Sequence, residues 1–248
     1  MLPLGLIYCI YIDSDDYIER TMLEEMYTKA INKQADIVIA DYWESYPNNE
    51  IYQCQVVADT PKGCLPLIAD KKIKAALWFK FVKRDLYIHH NLSFIEGKNY
   101  GEDVRMSFLL FYYAKSVTHI PQAFVHYIKY NSTSYSYHFS KKNQEDSVAN
   151  LNDLVSLLKN MNDFEQYKSS LYKMEMDLKF KLLLYSKGEL QKKWNKLYKD
   201  AYIKVFDTDL SIFWKIAFIG TYFNLLCWFN LFRRIGRIIR KHSFTIYE

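Results

Sequence analysis

Hydrophobic and polar positions along this chain change their period several times, and each change predicts an element. Residues 6–12 form an unbroken apolar run that ends on Asp13-Ser14-Asp15-Asp16. Such a run predicts a strand buried on both faces, as in a parallel sheet. Ile18, Met22, Met26 and Ala30 then recur at helical spacing, with Asp15 or Asp16 placed to cap the helix. Residues 36–42 (DIVIADY) predict a second strand, so the order strand–helix–strand gives an α/β fold. Residues 45–64, with Pro47-Asn48-Asn49 and Pro61-Lys62-Gly63, predict a hairpin or an irregular insertion. Residues 66–78 predict a short helix. Residues 89–101 are polar apart from a stub at 92–95, and end at Gly101-Glu102-Asp103. A helix starts there, with acids in its first turn and Met106, Leu109, Leu110 and Tyr113 on one face. Residues 117–130 are rich in β-branched and aromatic side chains and predict a strand. Residues 131–140 (NSTSYSYHFS) predict a mobile loop.

The pattern turns helical after residue 140. Leu151, Leu154, Val155, Leu158 and Met161 make one stripe, and Leu171, Met174, Leu178, Leu182 and Tyr185 another. Gly188 breaks the second helix, and no period recurs that would mark a repeat array. Residues 216–232 carry no charge and are followed by Arg233, Arg234, Arg237, Arg240 and Lys241. A spanning helix needs about 20 apolar residues, and Gly220, Thr221, Asn224 and Asn230 interrupt this stretch. A helix lying in a membrane interface with a basic end is the reading it supports, over a protein-facing terminal helix or a true span. The expected domains are a sheet domain over 1–140, a helical extension over 141–208 and an apolar-basic tail over 209–248.

Composition narrows the function classes. Half of the 248 residues are hydrophobic and 17% are aromatic, which excludes global disorder. Cys9, Cys54, Cys64 and Cys227 form no C-x-x-C pair, so neither a zinc site nor a disulfide framework is indicated. The first twelve residues show neither the basic leading region nor the cleavage site of a signal peptide. Charge is asymmetric. Residues 1–104 hold 11 Lys/Arg against 16 Asp/Glu, and residues 105–248 hold 22 against 12. Clustered acids suit a metal, and clustered bases beside an apolar tail suit lipid headgroups better than nucleic acid.

Asp13 and Asp15 stand two apart at the end of a predicted strand, where α/β sheets place their ligands. Two such carboxylates can converge on Mg²⁺ or Mn²⁺, hard cations that leave positions open for phosphate oxygens. Alone, D-x-D also fits a helix cap or a solvated turn. Phosphatases of the haloacid dehalogenase type place D-x-D after a strand too, but Tyr17 stands at their Thr/Val position and no downstream G-D-x-x-x-D is present.

Four segments in order carry a resemblance. They are Tyr11-Ile12-Asp13-Ser14-Asp15-Asp16-Tyr17-Ile18, with Met22-Leu23 and Asp36-Ile37-Val38; Trp78-Phe79-Lys80 with Lys83-Arg84-Asp85-Leu86; Phe94-Ile95-Glu96-Gly97 with Gly101-Glu102-Asp103; and Val125-His126-Tyr127-Ile128 before a Ser-rich loop. Over roughly residues 5–138 the chain resembles the family 2 glycosyltransferases, the GT-A enzymes of bacterial polysaccharide assembly. The resemblance implies a GT-A-like, Rossmann-like sheet domain with an α-helical C-terminal extension. It implies metal-dependent, inverting transfer from a nucleotide-sugar donor to a glycan or lipid-linked acceptor, at the cytoplasmic side of the inner membrane. Asp13 and Asp15 look like the metal and diphosphate ligands, Asp103 like the general base, and Glu102 like the acid that positions acceptor or loop. Trp78 and Lys80 look like the acceptor wall, and His126 and His138 are candidates for a third metal ligand. In that family the D-x-D motif follows an N-terminal half beginning V-I-I-P-x-Y-N, of which this sequence carries only Gly5-Leu6 and Tyr11-Ile12. The resemblance therefore implies a truncated domain with an exposed sheet edge, or one completed by a partner chain. The competing reading is a non-catalytic remnant that binds a membrane or a partner.

Overall fold

A computed structural model describes residues 7–130 and 139–244, with side chains as far as Gly236 in the last helix. Residues 131–138 of the loop expected at 131–140, with His138, and the basic side chains beyond Gly236 lie outside this description. The chain divides into two compact units, 1–162 and 163–248.

The first unit is built on a mixed six-stranded sheet in the order β1-β5-β3-β6-β2, with β4 beside the outer half of β3. Its centre is β3 (Ile37–Ser45), whose first six residues are all buried. β6 (Val117–Ile128) runs parallel to it, and β5 (Lys80–Lys83) and β4 (Glu50–Gln53) pair with it antiparallel. The β3–β6 register slips between Ala40 and Tyr42, where β6 carries Pro121. A bulge is where a strand tolerates proline, because no ladder hydrogen bond is demanded there. Asp41 is buried at that slip. It accepts from Tyr52 Oη at 2.7 Å and Gln55 N at 2.7 Å, and lies 2.9 Å from His119 Nε2. A buried carboxylate needs such partners.

The predicted long N-terminal strand is corrected. Within residues 7–12 only β1 (Tyr8–Cys9) is a strand, and it pairs antiparallel with β5. Tyr17 and Ile18 form a second short strand, β2 (Tyr17–Ile18), against β6. The strands at the two ends of that order, β1 and β2, are thus only two residues long, a form that limits edge-to-edge pairing. The four-residue β4 is a further edge beside the outer half of β3.

α1 (Met22–Lys33) buries Met22, Met26 and Ala30 completely, as their spacing predicted. Its N-cap is Thr21 rather than Asp15 or Asp16, because Tyr17 and Ile18 are drawn into the sheet first. The helix expected at 66–78 starts earlier, as α2 (Pro61–Ala69). Thr60 Oγ1 caps it by accepting from Gly63 N at 3.2 Å, and Pro61 fits the first turn, where no N–H partner is required. α3 (Arg84–His89) follows β5 directly. α4 (Glu102–Tyr113) buries Met106 through Phe111 on every side, so it is a core helix rather than a one-faced one. α5 (Lys141–Asn160) packs on α4 and completes the first unit.

The second unit is helical: α6 (Phe164–Tyr185), α7 (Gly188–Asn195), a 3-10 helix (Asp200–Asp207), α8 (Ile212–Tyr222) and α9 (Leu226–Phe244). Its core holds Leu171, Leu182, Leu183, Trp194, Phe218 and Phe229. Lys179 is fully buried, and its ammonium donates to the Asn195 carbonyl at 2.9 Å and the Leu197 carbonyl at 2.5 Å. Arg233 on α9 donates to the carbonyls of Leu184 and Ser186 at 3.1 and 2.8 Å, and so closes the C-terminus of α6. The uncharged tail is a helical hairpin, not one helix. Asn224 turns it in a left-handed conformation (φ 61°). Among the described residues no helix is long and apolar enough to cross a membrane.

Candidate functional site

The turn after β1 carries Asp13, Asp15 and Asp16. Asp16 N donates to the Asp13 carbonyl at 3.2 Å, and Asp16 Oδ1 accepts from Ile128 N at 2.9 Å. The second of these ties the turn to the end of β6. Asp13 and Asp15 are exposed, and burial of the Asp13 carboxyl edge and the charge of Asp15 push the Asp13 pKa up. Asp16 is pushed up to about 6, chiefly by burial, against the Ile128 N–H that holds it down.

Glu102 and Asp103 open α4. Gly101 before them adopts φ 79°, a left-handed conformation that favours glycine, and a Cβ there would meet Ser147 Cα at 3.3 Å. The loop that delivers them is held by α5. Asn150 Nδ2 donates to the carbonyls of Lys98 and Tyr100 at 3.3 and 3.0 Å. Asp146 accepts from Asn99 N at 3.2 Å and pairs with Lys142, whose ammonium also donates to the Gly97 carbonyl at 2.6 Å. Arg105 spans Asp153 at 2.6 Å and the Ser93 carbonyl at 2.9 Å. Sequence periodicity set α5 apart from the sheet domain. The signal against that separation is its row of buried polar residues, Asn143, Gln144, Asp146, Ser147 and Asn150.

Asp103 is pushed up to about 7, first by burial and then by Glu102, while Lys80 draws it down, with smaller effects of Asp13 and Lys74. Glu102 is raised by burial, with Asp146 and Asp13 adding to it. Lys80 is 1% exposed, and its ammonium donates to the Lys74 carbonyl at 2.6 Å and to the Ala76 carbonyl. Burial brings its pKa down to about 7. Lys80 therefore sits behind the site, shaping residues 74–76. Ser107 Oγ holds the Ala75 carbonyl of the same segment, and Lys74 N donates to Gln55 Oε1 at 2.9 Å.

That segment presents Lys74, which sequence reasoning passed over. Its ammonium lies 4.7, 5.1 and 4.1 Å from the ring centres of Tyr42, Trp78 and Tyr127. A cation is attracted to such π-faces. Burial and the charge of Lys129 bring its pKa down to about 8, and Glu44, Asp16 and Asp103 oppose this. Trp78 is 4% exposed, stacks on Tyr127 at 5.2 Å, and so forms a wall of this cage. Tyr11 and Phe94, each 38% exposed and 5.6 Å apart between ring centres, add an aromatic surface, and Tyr11 feels the charge of Asp103.

Asp13, Asp16, Glu102, Asp103, Lys74 and Lys80 therefore share one electrostatic environment, in which four acids hold protons more tightly and two amines less tightly than in water. Such opposed shifts concentrate at functional sites. His126 is not open to a cation. Its Nδ1 lies 2.7 Å from Glu50 and its Nε2 3.0 Å from Glu19, and Tyr17 stacks on it at 4.2 Å. Among the described residues no group of three or more His, Cys, Asp or Glu gathers to hold a metal. Asp13 and Asp15 supply carboxylate oxygens, the donor type that Mg²⁺ or Mn²⁺ takes beside water and phosphate. Burial first, and then the charge of Asp15, disfavour the Asp13 carboxylate, and a bound cation would offset both.

No protein-family model matches the chain, and no curated protein matches it by sequence. Solved structures do match its fold. A crystal structure of S. aureus TarS 1-349 in complex with UDP-GlcNAc superposes with a TM-score of 0.67 at 14% identity, over 93% of this chain and 67% of that one. A second structure of S. aureus TarS 1-349 gives 0.64 at 13% identity, over 93% and 66%. The chain thus spans about two thirds of their length, and at this identity the likeness establishes one thing, that the chain has the GT-A glycosyltransferase fold, with a helical C-terminal region present.

Proposed function

We propose that this chain transfers a sugar from a nucleotide-sugar donor to a hydroxyl of a glycan or lipid-linked acceptor, with inversion at the anomeric carbon. The observation that carries the reading is the placement of Asp103. It is a largely desolvated carboxyl at a helix N-terminus, poised near neutrality and coupled to Asp13 of the D-x-D turn. The likeness to a TarS structure holding UDP-GlcNAc supports a UDP-sugar as donor.

In this mechanism Asp103 accepts the proton of the acceptor hydroxyl as its oxygen attacks the anomeric carbon. The bond to the diphosphate oxygen breaks on the opposite face, which inverts the centre. Asp13 and Asp15 would hold Mn²⁺ or Mg²⁺, which when bound neutralises charge on the leaving diphosphate. Lys74 adds a positive charge that faces Asp16 and Asp103 from the aromatic cage. Trp78 backs that cage, and Tyr11 and Phe94 offer ring faces to a sugar. Glu102, whose Oε2 is buried without a hydrogen-bond partner among the described residues, positions the acceptor or the loop beside the base.

The second reading is a non-catalytic remnant or split-enzyme half that binds a membrane or a partner chain. The two separate on UDP release. Purified protein is incubated with a panel of UDP-sugars, simple glycan acceptors and Mn²⁺. The transferase reading expects UDP release that Asp103→Asn suppresses. Release equal in wild type and Asp103→Asn would contradict it.

A further inference from the structure

We propose that the α8–α9 hairpin docks the protein on a bilayer surface containing anionic lipid, its outward apolar face lying in the boundary between headgroups and acyl chains. The proposal does not rest on sugar transfer. Ile212 and Ile216 on α8 are 64% and 46% exposed, and Phe223 just beyond its end is 65% exposed. Positions 212, 216 and 223 fall on one helical face. Ala217, Phe218 and Thr221 on the other side are buried. α9 repeats the pattern: Trp228, Leu231 and Ile235 are 41%, 49% and 37% exposed, while Phe229 and Arg233 are buried.

The two stripes join into one surface. The Trp228 ring lies so close to Gly220 that a Cβ there would come within 2.5 Å of it, and its indole N–H donates to the Ile216 carbonyl at 3.4 Å. Phe206 of the 3-10 helix, also exposed, adjoins α8, because its carbonyl accepts from Lys215 Nζ at 2.8 Å. Scattered exposed apolar residues are ordinary, but a joined row of them marks an interaction surface.

Charge selects the partner. Residues 210–247 contain six Lys/Arg and no Asp or Glu. Exposed Arg234 stands next to Ile235 at the edge of the stripe. A second copy of the chain would bring like charges together. An anionic bilayer supplies opposite charge and an apolar layer in the same place. Neither helix spans it, in keeping with their length and polarity.

Flotation of the full chain with vesicles tests this, using phosphatidylcholine alone or mixed with phosphatidylglycerol. Binding is expected only to the mixed vesicles and is expected to weaken with salt. Arg234→Ala should lower affinity about fivefold, and Ile216→Glu combined with Leu231→Glu should abolish flotation. Brominated lipid should quench wild-type tryptophan fluorescence more than that of Trp228→Phe, a milder variant that decides the matter if the double variant melts lower. The proposal is overturned by failure to float with either vesicle, or by quenching equal in wild type and Trp228→Phe. It is also overturned if the wild type elutes as a dimer that the double variant converts to monomer, with no vesicle binding by either.

Discussion

Asp103 and Lys80 hold one another in a compromise that neither reaches alone. Burial disfavours both charges, and each charge draws the other toward ionisation. A general base works as the carboxylate, so activity should rise with pH through about 7 and level off above it. Measured as kcat/KM against pH, that acid limb should vanish in Asp103→Asn together with about 10²–10⁴-fold of the rate. Lys80→Met removes a charge that holds Asp103 down, so the acid limb should move to higher pH. The same variant orphans the Lys74 and Ala76 carbonyls and should cost about 1–3 kcal/mol in urea unfolding. Motif order is what singled out Asp13, Asp15, Glu102 and Asp103 in the sequence, and in the fold Asp103 responds to the charges of Glu102 and Asp13. Motif order did not make Lys74 legible. Its cage takes Tyr42 from β3 and Tyr127 from β6, distant in sequence, and Trp78 alone is a near neighbour along the chain.

Among the elements, those with an unbroken period were readable: α1 from Met22, Met26 and Ala30, β3 from its apolar run, α4 from its acidic start, β6 from its β-branched and aromatic content. Short ones were not. β5 and α3 span four and six residues, too few for a period to show. Pro61 read as a turn because proline punctuates both loops and first helical turns, and only the Thr60 cap decides between them. The tail read as one helix because Asn224, the residue that turns it, is a weaker breaker than glycine or proline. The clamp of α5 on the loop before α4 gives this scale its predictions. Gly101→Ala forces a left-handed alanine against Ser147 and should cost about 1–2 kcal/mol. Asn150→Ala leaves two carbonyls unpartnered and should cost about 1–3 kcal/mol. Both should lower kcat more than the stability loss alone explains, because Glu102 and Asp103 follow the loop; UDP release at a temperature where both variants remain folded measures this.

At the scale of the whole molecule, the first unit gathers the coupled acids and amines, and the second carries exposed apolar surface with a cationic sequence. The charge count, acidic over 1–104 and basic over 105–248, does not show how either half folds. Nor does it show which helices belong to the sheet. α5 joins the first unit through buried polar contacts that a hydrophobic stripe does not register. The central claim is that the Asp13–Asp103 site serves a nucleotide-sugar, and calorimetric titration with UDP-GlcNAc, with and without Mn²⁺, tests it most directly. The account predicts Mn²⁺-dependent binding that weakens by about tenfold or more, over 1.4 kcal/mol, in Asp13→Ala and in Asp15→Ala. Wild-type protein that gives no heat of binding with Mn²⁺ present, or binding that both variants retain in full, would contradict it.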